Sequence, residues 1–502
     1  MTAINSARKD WAKKWMSRKL TGFAGDKFLS TDGTTFTPLN PATGEPLAVH
    51  VETSAANVDL AVRAAHGAFQ DRAWRGMSRA KRVECLRGIA SVIREHQAEL
   101  ATLETLANGK TYVEAFDDDM PESADVFDYY SGWVDKLYGE SSPVAEGFIN
   151  YTKREPMGVC ALVVPWNFPL LLACWKIAPA LAMGNTVVIK PAPQTSLTLI
   201  RLAELIQERG ILPAGVFNVV LGGTIPGEAL TRHNLVNKIS FTGGTNTGRH
   251  ILKASADSNL KPVTLELGGK SPNIIFQDAG DLDAVAERSF VAMFSHKGEK
   301  CSEPTRMIIH ESIHDEMMAK LQKHAEAVRC GDPFSADTTQ GAQCFEEHMN
   351  KILSYIEVGK KEGGKVIAGG HRDMTGTNGK GCFVRPTIIT GVTSKMTIFQ
   401  EEIFGPVLSV TTFKDEAEAI RLANDSRYGL AAGLYSKDID RAMRVAGQLE
   451  AGQVFVNRYG CYDFAAPFGG FKESGWGKEM AIHSLDSYTR LKSIWIKVDE
   501  KY

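Results

Sequence analysis

Cys301 is the cysteine whose surroundings best suit a nucleophile. It lies in the polar segment 298–302, directly after a stretch of helical periodicity at 282–295, whereas inert cysteines are usually buried in apolar runs. Lys300 precedes it, and a neighbouring cation favours the thiolate, which is the reactive form of cysteine. Cys301 is therefore the candidate nucleophile, with a buried, unreactive thiol as the alternative.

Glu266 is a carboxylate inside an apolar, strand-like segment, residues 263–267, which is followed by Gly268 and Gly269. A buried carboxylate is costly unless it is paired or its pKa is raised. A raised pKa is also what a general base needs in order to act near neutral pH. The sequence favours a general base and a salt-bridged structural glutamate equally.

Asn167 lies between Pro165 and Pro169 at the end of an apolar run. The two prolines hold the chain rigidly, and a fixed amide N–H suits the stabilisation of an oxyanion that develops during a reaction. A plain tight turn explains the same residues nearly as well.

A glycine-containing loop at 241–248 follows a predicted strand and opens a predicted helix. Glycines at such a junction let phosphate groups approach the backbone N–H groups of a helix N-terminus. The loop lacks the spacing G-x-G-x-x-G, so by itself it is only weak support for dinucleotide binding.

The bulk composition argues against several classes of protein. The formal net charge of the 502 residues is −2, which provides no basic field for nucleic acid. The eight cysteines form no C-x-x-C pair and the histidines do not cluster, so neither a disulfide framework nor a metal site is expected. No apolar run is long enough for a signal sequence or a membrane span, and a cytoplasmic protein is expected. The alternative is a basic transit peptide within residues 8–19, which Asp10 interrupts.

The elements that must position these groups change in character along the chain. The first third is mostly helical, with one long amphipathic helix predicted at 78–109. After residue 155, short β-branched runs alternate with helical patterns at 196–209 and 226–232. This alternation predicts a parallel sheet that binds nucleotides at the carboxyl ends of its strands. The predicted strands are residues 159–164, 186–189, 216–221, 238–241, 263–267 and 273–276.

A second series of strands and helices covers residues 306–466, and two further strands are predicted at 148–153 and 488–498. Neither of these two strands has an obvious sheet of its own, which suggests an arm that pairs with another subunit. The predicted fold class is therefore α/β, with a Rossmann-like parallel-sheet cofactor domain, an α/β catalytic domain and a small β-strand oligomerisation arm.

Taken together, these segments resemble the aldehyde dehydrogenase superfamily over nearly the whole chain. Seven motifs occur in the family's order, namely PWNFP, VVIKP, FTGGTNTG, LELGGKSP, GEKC, EEIFGPV and PFGGFKESGWG. The resemblance implies a non-acylating, NAD(P)-dependent enzyme that oxidises an aldehyde and assembles as a homodimer or homotetramer. It also implies a cofactor domain at 1–134 and 157–268, a catalytic domain at 269–480 and a bridging arm at 135–156 and 481–502.

The resemblance also implies roles for residues of this sequence. Cys301 would form the thiohemiacetal and thioester, Glu266 would assist hydrolysis, and Asn167 would form the oxyanion hole with the Cys301 backbone N–H. Lys190 would bind the adenosine ribose. The other implied cofactor contacts are Trp166, Thr242, Gly243, Gly244, Thr245, Leu267, Glu402 and Phe404.

The cofactor is expected to be NAD, with NADP as an alternative. Many family members have a glutamate three residues after the lysine of the VVIKP motif, and here that position is Pro193. Losing the carboxylate removes a hydrogen bond to NAD and a repulsion against the 2′-phosphate of NADP.

The substrate is expected to be a broad aliphatic or aromatic aldehyde. Trp175, Tyr462 and Phe468 fall where family members line the aldehyde tunnel. Charged residues give conflicting indications. The acidic triplet 117–119 favours an aminoaldehyde or betaine aldehyde unless it is only a solvated helix face, whereas Lys300 and Arg458 argue against a cationic substrate.

Two other functions use the same fold. In an acylating relative, coenzyme A attacks the thioester instead of water, and a non-enzymatic relative keeps the fold without the chemistry. The presence of Glu266 argues against the first, and its presence together with Cys301 and Asn167 argues against the second.

Overall fold

The computed structural model describes residues 2–498, with side chains from Ala7 onward. These residues form two large, mainly parallel sheets with helices between their strands, one three-stranded antiparallel sheet and two two-stranded antiparallel sheets. The α/β class predicted from the sequence is confirmed.

The first sheet has five parallel strands at its centre and antiparallel strands at both edges. Most of its central strands are buried on both faces, which is why apolar residues occur at neighbouring positions in them and do not alternate strictly with polar ones. In spatial order its strands are Lys27–Phe28, Phe23–Ala24, Phe217–Val219, Thr186–Lys190, Val159–Val163, Lys238–Thr242, Val263–Glu266 and Gly475–Trp476.

The order of the five parallel strands creates a crevice. Numbered along the chain they lie in the order 3-2-1-4-5, so the direction of progression reverses between Val159–Val163 and Lys238–Thr242. Ligands of α/β proteins bind at such a reversal, outside the carboxyl ends of the strands. The segments that contain Asn167 and Gly243 leave the sheet at this point.

The second sheet has seven strands, and all but its first neighbouring pair are parallel. The predicted strand at 273–276 belongs here, as Pro272–Ile275, and not to the first sheet with the other five. In spatial order the strands are Lys365–Ala368, Thr387–Thr390, Val407–Phe413, Arg306–His310, Pro272–Ile275, Ala431–Tyr435 and Gln453–Val456.

The two strands predicted to form an arm pair with each other. Phe148–Pro156 runs antiparallel to Thr489–Lys497, and Ser141–Ser142 adds a short third strand. The two strands therefore share one small sheet, which is not obvious from the sequence. The two strands lie more than 300 positions apart in the chain, so local sequence patterns do not reveal that they pair.

The first third of the chain is mostly helical, as predicted, but one predicted helix is divided in two. The helix predicted at 78–109 is two helices, Arg79–Glu95 and Gln97–Asn108, because His96 between them has a non-helical backbone with φ −106° and ψ 19°. No helix within residues 2–498 is both long and apolar enough to cross a membrane. The other helices of this third are Thr2–Met16, Ala55–Gln70, Arg72–Arg75 and Met120–Ser131.

The helices of the two large sheets connect successive strands. Those of the first sheet are Pro169–Ala182, Leu197–Glu208, Thr224–Arg232 and Thr245–Ala256. Those that follow are Leu282–Phe294, His314–Ala327, Glu346–Lys361, Thr397–Gln400, Glu416–Asn424, Ile439–Ala446 and Ala481–Ser487.

Candidate active site

Two adjoining cavities lie at the carboxyl ends of the first sheet. The larger, of about 600 Å³, is lined by Lys190, Pro193 and the loop that precedes helix Thr245–Ala256. The smaller, of about 170 Å³, is lined by all three predicted catalytic residues. The cavities share five lining residues, namely Pro165, Trp166, Thr242, Gly243 and Gly244.

Cys301 is half-buried and lines the smaller cavity. It belongs to the segment that leads into strand Arg306–His310 of the second sheet. Burial, together with the carboxyl groups of Glu402 and Glu266, raises the pKa of its thiol to about 12. The Lys300 ammonium instead donates to Ser295 Oγ at 2.7 Å and lies 3.5 Å from Glu303. The predicted stabilisation of the thiolate by Lys300 is therefore wrong in this structure, because the ammonium is engaged by other groups.

Glu266 is the last residue of strand Val263–Glu266 and its carboxyl group is buried. Burial and the nearby Glu479 carboxyl raise the pKa of Glu266 well above its usual range, although Lys176 and Lys478 act in the opposite direction. Its Oε2 has no hydrogen-bond partner among the described residues. The Glu266 carboxyl group is therefore poorly suited to a structural ion pair and well suited to proton transfer.

A buried ion pair beside Glu266 was not predicted from the sequence. Lys176 forms an ion pair with Glu479. The Ser240 hydroxyl accepts a hydrogen bond from Lys176 Nζ and donates one to Glu479 Oε1, each at 3.1 Å. Lys176 lies in the apolar helix Pro169–Ala182, and Glu479 follows it by some 300 positions. A lysine inside an apolar helix is the only local signal that could have drawn attention to this pair.

Asn167 is buried and reaches across the cleft to the segment that carries Cys301. Its Nδ2 donates to the backbone carbonyl of Glu299 at 2.8 Å. The backbone of the preceding Trp166 is held in turn by Asn108, whose Nδ2 donates to its carbonyl at 2.9 Å. The amide and the thiol are thus attached to one hydrogen-bonded framework.

Lys190 and Pro193, which are predicted to lie beside the adenosine ribose, both line the larger cavity. The Lys190 ammonium donates to the carbonyl of Gly222 at 2.7 Å. Burial lowers the pKa of Lys190 to about 8, while the nearby Glu52 carboxylate acts in the opposite direction. No carboxylate replaces the missing glutamate at Pro193 itself, although Glu228 also lines this cavity.

The glycine-containing loop lies at a helix N-terminus, as predicted. Thr242 ends a strand, Gly244 is the N-cap residue and Thr245 begins helix Thr245–Ala256. The first N–H groups of such a helix have no partners within the helix and attract anions. A side chain at Gly244 would meet open space, so the glycine is not required sterically.

Glu402 and Phe404 close the smaller cavity from the second sheet. Glu402 Oε1 accepts a hydrogen bond from the Gly269 N–H at 2.8 Å, and a Cβ on Gly268 would overlap the same carboxylate. The Phe404 ring packs edge-on against Trp166, with 5.3 Å between ring centroids. Leu267 completes this wall, so all the predicted cofactor contacts except Lys190 and Thr245 line the smaller cavity.

The three predicted tunnel residues form a continuous aromatic group. The ring centroids of Trp175 and Phe468 are 5.3 Å apart, and those of Phe468 and Tyr462 are 6.0 Å apart. Trp175 and Phe468 are 8% and 6% exposed, whereas Tyr462 is 42% exposed and hydrogen-bonded to Ser302 Oγ at 2.8 Å. The group therefore extends from the core to the surface beside Cys301.

A third cavity, of about 430 Å³, lies where this aromatic group reaches the surface. It is lined by Ser302 and Tyr462 and by three cations, Lys300, Arg288 and Arg458, with Glu287 as the only carboxylate among its lining residues. The acidic triplet does not line it. Asp119 is buried and paired with Lys110, whereas Asp117 and Asp118 are exposed. The described residues contain no cluster of His, Cys, Asp or Glu that could hold a metal ion.

The sequence and the fold of the chain match those of known proteins. The model described as "Aldehyde dehydrogenase family" matches residues 28–494. An aldehyde dehydrogenase of Enchytraeus buchholzi is 45% identical over 482 residues, which are 95% of this chain and 96% of the relative. The structure of a Bacillus cereus aldehyde dehydrogenase in complex with NAD⁺ has a TM-score of 0.94 at 42% identity, covering 97% of this chain and 98% of that one.

A third relative is the P. syringae indole-3-acetaldehyde dehydrogenase AldA, whose structure contains NAD⁺ and IAA. It has a TM-score of 0.94 at 40% identity and covers 98% of this chain and 99% of that one. The family model, the sequence identity and the shared fold agree over nearly the whole chain. The chain therefore belongs to the aldehyde dehydrogenase family and is an oxidoreductase that acts on aldehydes.

Proposed function

We propose that the protein oxidises an aldehyde to its carboxylic acid through a covalent intermediate on Cys301. The observation that carries the proposal is that Cys301, Glu266 and Asn167, which are far apart in the sequence, line one cleft of about 170 Å³. A nucleophile, a carboxyl group of raised pKa and an amide donor are the groups that acyl chemistry needs.

The adjoining cavity fits a nicotinamide dinucleotide. This cavity, of about 600 Å³, extends to the N-terminus of helix Thr245–Ala256, where backbone N–H groups can bind a pyrophosphate. Gly244 has no side chain to obstruct this approach. NAD(P)⁺ bound there supplies the hydride acceptor, and the NAD⁺ complexes of the B. cereus and P. syringae relatives support NAD as the cofactor.

The residues of this chain account for the other steps. The Cys301 thiol gives up its proton to solvent, and its sulfur adds to the aldehyde carbon to form a thiohemiacetal. The negative charge on oxygen is stabilised by Asn167 and the Cys301 backbone N–H. Loss of a hydride from the same carbon leaves a thioester. Glu266 then takes a proton from water, and the resulting hydroxide attacks the thioester carbon. The C–S bond breaks, the carboxylic acid is released, and the leaving Cys301 sulfur takes the proton back from Glu266.

Pro193→Glu is expected to make the enzyme discriminate against NADP⁺. A carboxylate beside the adenosine ribose would repel the 2′-phosphate, and about 1.4 kcal/mol of repulsion lowers kcat/KM tenfold. Initial rates with NAD⁺ and NADP⁺ give the ratio, and Pro193→Ala controls for loss of the proline ring. If Pro193→Glu left the ratio unchanged, the proposed position of the ribose would be wrong.

The proposed substrate is a broad aliphatic or aromatic aldehyde. The aromatic group of Trp175, Phe468 and Tyr462 supports this, since it offers an apolar surface beside Cys301. The cations that line the third cavity disfavour the alternative, an aminoaldehyde or betaine aldehyde. Initial rates across neutral, ω-amino, trimethylammonium and ω-carboxyl aldehydes test this, and a higher kcat/KM on the cationic aldehydes would favour the alternative.

We also propose that the two large sheets are the cores of a cofactor domain and a catalytic domain, and that the small sheet joins subunits. The small sheet exposes large apolar side chains on both of its long strands, including Phe148, Leu491 and Trp495. Exposed apolar patches of this kind mark interfaces and support a homodimer or homotetramer. Light scattering that gave the mass of a single chain would contradict this assembly.

A further inference from the structure

The turn that leads into Cys301 has an unfavourable backbone conformation. His296, Lys297 and Gly298 have φ values of 48°, 64° and 71° in succession. Left-handed geometry is sterically disfavoured for the first two, which have side chains, and it persists only where the surroundings enforce it. Gly298 also has no room for a Cβ, because the Gly405–Pro406 peptide packs against it.

Lys297 is the residue of this turn with the most extensive contacts. Its side chain is 1% exposed, and its ammonium donates to the backbone carbonyl of Asn108 at 2.8 Å and to the Asn108 side-chain oxygen at 2.9 Å. A third contact joins the ammonium to Glu299 Oε2 at 2.8 Å. The buried ammonium therefore donates two hydrogen bonds to Asn108 and forms an ion pair with the Glu299 carboxylate.

The two partners of Lys297 lead to both sides of the reacting centre. Asn108 holds the backbone carbonyl of Trp166, next to Asn167. Glu299 receives the Asn167 amide on its own backbone carbonyl and lies two residues before Cys301. Lys297 thus joins the segment that carries the amide donor to the segment that carries the thiol.

Glu299 extends the same framework toward the Phe404 segment. Its Oε1 accepts the Cys344 N–H at 3.1 Å and lies 3.5 Å from His348 Nε2. His348 donates to the backbone carbonyl of Phe404 at 2.7 Å. The Lys297–Glu299 pair therefore lies where three wall segments of the catalytic cleft meet.

We propose that Lys297 is a positioning residue, which fixes the distance between the Cys301 thiol and the Asn167 amide. Lys297 acts through Asn108 and Glu299. This inference rests on the proposed roles of Cys301 and Asn167. An oxyanion donor displaced by about 1 Å stabilises the transition state much less, so loss of the lysine affects the chemical step more than cofactor binding.

A buried ion pair could instead contribute only to stability, and the two roles are separable. Removing one partner leaves an uncompensated buried charge and is destabilising, whereas removing both charges is often neutral. Lys297→Met alone therefore tests both effects together. The double variant Lys297→Met with Glu299→Gln removes the charge imbalance but still lacks the link to Asn108.

The experiment measures Tm, steady-state kcat and KM for NAD⁺ in Lys297→Met and in the double variant. A matched control is Lys261→Met. Lys261 is also buried and its ammonium also donates to a backbone carbonyl, that of Thr231, but Lys261 itself lines neither of the two adjoining cavities. We expect the double variant to recover most of the Tm that Lys297→Met loses, while its kcat stays at least tenfold below wild type and its KM for NAD⁺ changes less than threefold. Lys261→Met should lower Tm with wild-type kcat.

A double variant with wild-type kcat would overturn the positioning role, and so would a fall in kcat that Lys261→Met reproduces. If Lys297→Met does not fold, the charge-balanced double variant still gives the decisive kcat. Cys301→Ala distinguishes failure of the underlying function. Activity retained in Cys301→Ala would refute the proposed function, whereas an inactive Cys301→Ala beside a fully active double variant would refute only the role of Lys297.

Discussion

Cys301→Ala is expected to lower aldehyde oxidation at least about a thousandfold, because Cys301 is the only cysteine among the described residues that line the catalytic cleft. The alanine leaves the larger cavity and the helix N-terminus of Thr245–Ala256 unchanged. Binding of NAD⁺ should therefore change less than about threefold. The first quantity is measured from NADH formation at saturating aldehyde, and the second by calorimetric titration with NAD⁺.

Cys382→Ala is the matched control, since Cys382 is also half-buried and does not line the catalytic cleft. Its kcat should equal that of the wild type. Substantial turnover by Cys301→Ala, or a comparable loss in Cys382→Ala, would mean that the nucleophile is a different thiol.

Glu266→Gln is expected to separate the two halves of the reaction. Thioester formation does not need the base that activates water, so one equivalent of NADH per active site should form in a burst. Hydrolysis should then be slower by about 10²–10⁴-fold, the usual contribution of a general base. Stopped-flow absorbance of NADH gives both the amplitude of the burst and the rate that follows.

The pH dependence of hydrolysis provides a second test of Glu266. Burial raises the pKa of its carboxyl group, so the group is protonated at low pH and becomes a base only as the pH rises. The wild-type hydrolysis rate should therefore increase with pH through the raised pKa, and this increase should be absent in Glu266→Gln. A variant that kept both the wild-type rate and its pH dependence would show that Glu266 is structural.

Much of the first sheet could be predicted from the sequence because its signals are local. Strands such as Thr186–Lys190 are buried on both faces and consist mainly of β-branched residues, and Gly109 ends a helix where glycine is expected. The helix interruption at His96 has no such signal, because apolar residues continue at helical spacing across it.

The candidate site could be predicted in part for the same reason. Cys301, Glu266 and Asn167 have residue types and neighbours that suggest chemistry in the sequence itself. The pair Lys176–Glu479 and the contacts of Lys297 depend on residues brought together only by the fold. The Lys300 side chain is oriented by its contacts with Ser295 and Glu303. Its position next to Cys301 in the sequence suggested instead that the ammonium would stabilise the thiolate.

The most direct test of the covalent mechanism is peptide mass spectrometry of Glu266→Gln after reaction with NAD⁺ and an aldehyde. The proposed mechanism predicts an acyl group on Cys301, with a mass increase equal to that of the aldehyde less two hydrogens, in an amount equal to the NADH burst. An acyl group on another cysteine, or an NADH burst without any acylated cysteine, would contradict it.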